Sequence, residues 1–198
     1  MNKKVKKGEY LGILLRSKKT VFSTKDVALL WSDTNIFAAK VRLSYYVKKE
    51  KLIRLRKGIY AKDRNYDRYE LATKILKPSY ISFETVLGAS GMTFQYYSQI
   101  FVASYVKRDV TCDGQLYSFR TIKNPVLINP KGIDKDREYS IASKERAFLD
   151  TIYRSKDYYF DNLSPLDWNK VFEVLQIYKN KKMEKKVNKY YKYYKSTK

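Results

Sequence analysis

Between positions 32 and 61 the hydrophobic pattern changes its period, and this switch constrains the fold more than any other stretch. Ile36, Ala39, Leu43, Tyr46 and Val47 follow one another at spacings of three, four, three and one, which is one stripe of a 3.6-residue helix. Ser32, Asp33, Thr34 and Asn35 stand ahead of them as a cluster of capping residues. Leu52 to Leu55 and Ile59 to Ala61 then read as short strands around Arg56, Lys57 and Gly58, with a glycine where a hairpin turns. A helix that runs directly into a hairpin has to bury both apolar faces in one small core.

The residues upstream supply that core. Tyr10, Ile13 and Leu14, with the later Val21 and Phe22, predict a short helix over roughly residues 7 to 17, ended by the polar run Ser17 to Thr20. In FSTKDVALLW, Ser23 or Thr24 caps a second helix, Asp26 sits where the helix dipole favours an acid, and Val27, Leu30 and Trp31 face inward. Three helices and a hairpin within 65 residues is the order of a winged helix-turn-helix, with RLRKGIYAK (54 to 62) as the wing.

A chain of 198 residues buries one good core or two small ones, and two are expected here, over 1–65 and 66–198. The formal charge is +22, from 42 Lys and Arg against 20 Asp and Glu, which favours an anionic partner. A Lys-rich proteome accounts for part of that excess, so its distribution says more. Residues 1 to 65 carry 18 basic and 5 acidic side chains, residues 66 to 164 carry 14 and 12, and residues 165 to 198 carry 10 and 3.

Past the hairpin, YDRYELATKIL reads as a helix with Tyr69, Ala72 and Leu76 inside, ended by Pro78. YISFETVLGASGM reads as a short strand at Tyr80 and Ile81, a cap at Ser82 and a helix stopped at Gly91. Residues 99 to 129, rich in Val, Ile, Tyr and Phe and broken by Asp113 and Gly114, predict a small antiparallel sheet. SIASKERAFLDTIYRS is a helix capped by Ser143, with Ala147, Leu149 and Ile152 or Tyr153 inside. SPLDWNKVFEVLQIYKN starts another, with Ser164 as cap and Pro165 in its first turn. The last segment continues helical on the stripe Met183, Val187, Tyr190 and Tyr194. The fold class is therefore α+β: an N-terminal winged helix-turn-helix, then a mixed domain with a small antiparallel sheet and flanking helices.

Several chemistries are excluded or disfavoured. The chain has no histidine and a single cysteine, Cys112, so a disulfide framework, a Cys/His zinc site and a histidine base are all ruled out. No Gly-rich phosphate loop or nucleophile elbow is present. Asp109, Asp113, Asp134, Asp136, Glu138 and Glu184 are the raw material for a carboxylate metal site, but nothing spaces them convincingly. No stretch approaches the ~20 apolar residues of a membrane helix. The basic N-terminus has too short an apolar part, split by Gly12, for a signal peptide. A non-enzymatic cytoplasmic protein without cofactors, metals or membrane contact is expected.

The candidate DNA-binding residues lie on the third helix and the wing. Asn35, Arg42, Tyr45, Lys48 and Lys49 supply donors along the outer helix face, while Ala38 and Val41 either touch thymine methyls or pack. In the wing, the two-residue period of a strand sends Arg54 and Arg56 to one side and Ile53 and Leu55 to the core, with Lys57 at the turn. That basic side straddles a phosphate backbone, enters the minor groove, or is a solvated ribbon. The Lys/Tyr-rich terminal helix is open to three readings: a packed helix with a solvated basic back, a second nucleic-acid contact, or a dock for an acidic partner.

Three motifs in order add a family. Lys57, Gly58 and Tyr60 form a basic-Gly-aromatic wing. Tyr80, Ile81, Ser82, Val86, Leu87 and Gly91 follow, and then Glu145, Ala147, Leu149, Asp150 and Tyr153. Together they make the chain resemble the AbiEi family of antitoxins, over roughly residues 20 to 155. The resemblance implies the antitoxin of a type IV toxin-antitoxin (abortive infection) system, a transcriptional regulator in phage defence or plasmid maintenance. Such a protein represses its own operon by binding double-stranded DNA at inverted half-sites in its promoter. It counters a nucleotidyltransferase-like toxin without requiring a stable complex. The contrasting expectation is a protein-interaction module that docks an acidic partner and never reads DNA.

Overall fold

In the computed structural model, which describes residues 8–33 and 35–196, the chain divides into two units, Met1–Ile75 and Leu76–Lys198. The division lies beyond position 65 because the next helix is bonded to the N-terminal sheet. The Glu70 carboxylate accepts hydrogen bonds from the backbone N–H of Thr20 and Val21 at 2.8 and 2.7 Å, and Lys74 pairs with Asp26 at 3.0 Å. The whole is mixed α and β, with a small antiparallel sheet in the first unit and a larger mixed sheet in the second.

The first unit runs α1 (Glu9–Arg16), β1 (Val21–Ser23), α2 (Thr24–Leu30), α3 (Ile36–Lys48), β2 (Ile53–Arg56), β3 (Ile59–Ala61) and α4 (Arg68–Ile75). Val21 and Phe22 form β1 rather than extending the α1 stripe. They pair antiparallel with Ala61 and Tyr60, so the hairpin gains a third strand in the order β1-β3-β2. Three residues carry no readable period, which is why this strand is hidden in the sequence.

Ser23 caps α2 as anticipated: its hydroxyl accepts from the Asp26 N–H at 3.1 Å, and the Asp26 carboxylate accepts from the Ser23 N–H at 2.8 Å. The core gathers Leu14, Phe22, Val27, Trp31, Ala39, Leu43, Leu52 and Tyr60. The Trp31 indole donates to the Tyr10 carbonyl at 2.8 Å, which fixes α1 on α2. Two residues expected inside are not: Leu30 and Ile36 are 37% and 43% exposed, because both stand at helix ends where the stripe has turned away from the core. Of the capping cluster, Asn35 caps α3 and Thr34 lies outside the described residues, as does the first residue of the helix expected over 7 to 17.

The second unit contains β4 (Ser79–Ile81), α5 (Glu84–Ala89), β5 (Ile100–Ser104), β6 (Arg108–Cys112), β7 (Gln115–Thr121), α6 (Asn124–Leu127), β8 (Ile133–Asp134), β9 (Ile141–Ala142) and α7 (Lys144–Arg154). It closes with α8 (Trp168–Leu175), a 3-10 turn at Gln176–Tyr178 and α9 (Lys181–Ser196). Its six strands are ordered β6-β7-β5-β4-β9-β8. The sheet is larger than the one expected, and it is mixed. β6 and β7 form the anticipated hairpin, with Asp113 and Gly114 both at positive φ (49° and 72°), but β7 inserts beside β5 and runs parallel to it. Strand composition does not encode which edge of a hairpin docks.

Helix α7 is the centre of this unit, with Glu145 through Ile152 buried under α5, α8 and α9. Two caps differ from expectation. Asp167, rather than Ser164, caps α8 by accepting from the Asn169 and Lys170 N–H groups. Ser82 caps nothing, since its hydroxyl is turned into the core and Phe83, at φ 56°, precedes α5. Inside α4 the buried residues are Glu70, Leu71, Ala72 and Thr73, whereas Tyr69 and Leu76 are half-buried.

Candidate nucleic-acid interface

The solvent face of α3 follows directly from where its core face points. Ala39 and Leu43 are buried and Tyr46 and Val47 pack on the same core, so the opposite side presents Phe37, Lys40, Val41, Ser44, Tyr45 and Lys48, all exposed. Those positions recur at three- and four-residue steps and make one continuous ridge. The predicted donors Tyr45 (56% exposed) and Lys48 lie on it, with Lys49 at the helix end. Phe37, Lys40 and Ser44 were not among the anticipated contacts, although their spacing from Val41 and Tyr45 marks the same face.

Asn35 and Arg42 are placed differently. The Asn35 side-chain oxygen accepts from the Phe37 N–H at 2.8 Å, so it starts the helix. The Arg42 guanidinium is ion-paired with Asp33 and stacked 4.3 Å from the centre of the Tyr10 ring. That arrangement ties α3 to α1 and to the α2–α3 connection, at the flank of the ridge.

The hairpin is pinned at its turn. Gly58 has φ 79°, and its carbonyl accepts from the Thr24 N–H at 2.9 Å and from the Thr24 hydroxyl at 3.3 Å, which holds the tip against the start of α2. Tyr60 anchors the strand in the core. The arginines do not share a side. Arg54 pairs with Tyr60 and Arg56 with Ile59, so a bulge at Leu55 breaks the alternation, and directly paired residues share a face. Arg54 and Lys57 are exposed, whereas Arg56 is half-buried, with its Nη1 shut away from solvent and lacking a hydrogen-bond partner among the described residues.

A second concentration of ionisable groups lies in the C-terminal unit and is sealed. Asp150 accepts from the hydroxyls of Tyr80 (2.9 Å), Ser82 (2.8 Å) and Tyr178 (2.6 Å), and from Arg146 Nε at 3.3 Å. Arg146 also donates to the Tyr80 hydroxyl and to the carbonyls of Val126 and Lys131. Burial pushes Asp150 up from the ordinary carboxylate range, against the pull of Arg146 and the three hydroxyls. Burial and the Asp150 charge push Tyr80 and Tyr178 well up, so both stay O–H donors. With Arg146 and Asp150 at 0% exposure, this network joins β4, α6, α7 and the 3-10 turn and offers no surface to a substrate. It gathers Tyr80 and Ser82 of the second motif and Asp150 of the third. Arg146 was passed over in the sequence because an arginine on an exposed-looking helix turn gives no sign of burial.

Among the described residues no group of three or more His, Cys, Asp or Glu side chains is arranged to hold a metal ion, and no helix is long and apolar enough to cross a membrane. The sequence matches no protein-family model, and no similar protein is found among those with curated descriptions.

Proposed function

We propose that the chain is a DNA-binding antitoxin and transcriptional autorepressor of a type IV toxin-antitoxin operon, with the first unit acting as a winged helix-turn-helix. The observation that carries this reading is the exposed ridge of α3, Phe37 to Lys48, in the same unit as a basic hairpin tip fixed to α2 by Gly58. In this reading Lys40, Ser44, Tyr45 and Lys48 meet base edges and phosphates in the major groove, and Phe37 and Val41 meet thymine methyls. Arg54, Lys57 and Lys49 hold phosphates, which set position rather than sequence. Asn35 and Arg42 shape α3, and Arg56, half-buried, is left out of the contact. The excess of 18 basic over 5 acidic side chains in residues 1 to 65 supplies the long-range attraction.

The antitoxin part of the proposal rests on the resemblance of the three motifs. The protein opposes a nucleotidyltransferase-like toxin from the cytoplasm, without catalysis and without a cofactor of its own. The test is genetic and direct: the chain should repress a reporter driven by its own upstream region and restore growth to cells expressing the toxin encoded beside it, where that gene is nucleotidyltransferase-like. Repression without rescue would remove the antitoxin half, and rescue without repression would remove the DNA-reading half.

One observation favours the contrasting reading, in which the first unit docks a protein. Leu29, Phe37 and Val41 are 80%, 71% and 55% exposed, an apolar set at the α2–α3 side of the unit. Equal affinity for the upstream region and for scrambled DNA at moderate salt would select that reading.

A further inference from the structure

The C-terminal unit carries a cleft that the proposed function does not use. It encloses about 570 Å³ between the 156–163 segment and α9, within the range of small-ligand sites. Tyr158, Tyr159, Tyr190 and Tyr193 line it, and Lys156, Lys186 and Lys189 stand around them, with Asp157 as the one carboxylate. Its floor is built rather than loose. The Tyr190 hydroxyl donates to the Tyr158 carbonyl at 2.5 Å, Lys186 Nζ donates to the Ser155 carbonyl at 2.8 Å, and the rings of Tyr158 and Phe160 lie 4.6 Å apart. Above that floor Tyr159 is 77% exposed and Tyr193 is 57% exposed.

The helix beside the cleft continues the pattern. Lys182, Lys185, Lys189 and Lys192 are all exposed and recur at steps of three, four and three, so they form one row along α9. At 1.5 Å per residue that row is roughly 15 Å long. Lys189 belongs both to the row and to the cleft, and Glu184 is the sole carboxylate in α9.

We propose that this cleft and lysine row bind single-stranded nucleic acid, with an unpaired base stacked against Tyr159 and Tyr193 and the sugar-phosphate chain following the lysines. Stacking is open only to a base that has left its duplex, since a paired base has both faces covered by its neighbours. The row of cations extends past the cleft, which suits a strand of several nucleotides over a lone nucleotide. The site is separate from the α3 ridge in sequence and in its demand for unpaired bases.

The experiment uses the full chain and a fluorescently labelled single-stranded oligonucleotide of about 12 nucleotides, a length within the usual range of such sites. Unlabelled duplex, a nucleoside monophosphate and poly-glutamate serve as competitors. Tyr159→Ala and Lys189→Glu should each weaken single-strand binding, Tyr159→Ala by roughly tenfold, while leaving duplex binding unchanged. Tyr159→Trp keeps the ring, and its emission should be quenched by the single strand and not by duplex or poly-glutamate. Wild-type affinity for the single strand in both Tyr159→Ala and Lys189→Glu overturns the proposal. Equal competition by poly-glutamate overturns it in favour of an acidic protein partner, and competition by the monophosphate at equal concentration in favour of a nucleotide site.

Discussion

Replacing Asp150 by Ala would leave the Arg146 guanidinium, at 0% exposure, without its carboxylate and three hydroxyls without their acceptor. Breaking a buried pair in this way costs about 3–5 kcal/mol, so Asp150→Ala should fail to fold or unfold at far lower denaturant than the wild type. Asp150→Asn, which keeps an acceptor oxygen, should lose less. Asp26 gives a pH test. Burial alone would hinder its ionisation, but the Ser23 N–H and the Lys74 ammonium hold its carboxyl down at about 2, below the ordinary 3.8. Stability from a depressed carboxyl is complete above its unfolded value and is lost as pH falls through the folded one. Melting curves taken across about pH 5 to pH 2 should therefore fall less steeply for Asp26→Asn than for the wild type, with the difference confined to the lower part of that range. A parallel fall would show that Asp26 does not carry the acid limb.

Among the elements, the β2–β3 hairpin separates what periodicity can and cannot report. Its strands, its glycine turn and the anchoring by Tyr60 were legible, because alternation and a Lys-Gly pair are local signals. The bulge at Leu55 was not, since one extra residue inverts the faces downstream without changing composition. The same limit hid β1, the Asp167 cap and the insertion of β7 beside β5, all of which depend on partners distant in the chain. The helix stripes of α3, α7 and α9 were legible because their period repeats over several turns. If the proposed function holds, the bulge changes what substitutions in the hairpin should do. Arg54→Ala and Lys57→Ala should each reduce the slope of log affinity against log salt by about 0.9, the value of one phosphate contact, with little loss of stability. Arg56→Ala should act mainly on the melting temperature. If Arg56→Ala alone changes the salt slope, the half-buried placement is not the one that DNA meets.

At the scale of the whole molecule, the basic excess is concentrated in the first 65 and the last 34 residues of the chain. Among the described residues, Lys40, Lys48, Lys49, Arg54 and Lys57 are exposed on or beside α3 and the β2–β3 hairpin, while exposed lysines also run along α9. Residues 66 to 164 carry 14 basic and 12 acidic side chains and build the mixed sheet and, with Tyr178, the buried Asp150 network. Composition therefore pointed to anionic partners, but only the burial pattern separates cations that face solvent, such as Lys48 and Lys57, from those held inside, such as Arg146. In the proposed function, α3 reads sequence and the β2–β3 hairpin holds phosphates. Its most direct test is the ratio of affinities for the upstream region and for a scrambled fragment, measured at one moderate salt concentration for the wild type, Tyr45→Ala and Lys57→Ala. The expected result is a ratio well above one for the wild type, a ratio falling toward one for Tyr45→Ala, and weaker binding with an unchanged ratio for Lys57→Ala. A wild-type ratio of one, or a ratio that Tyr45→Ala leaves intact while Lys57→Ala abolishes it, would contradict it.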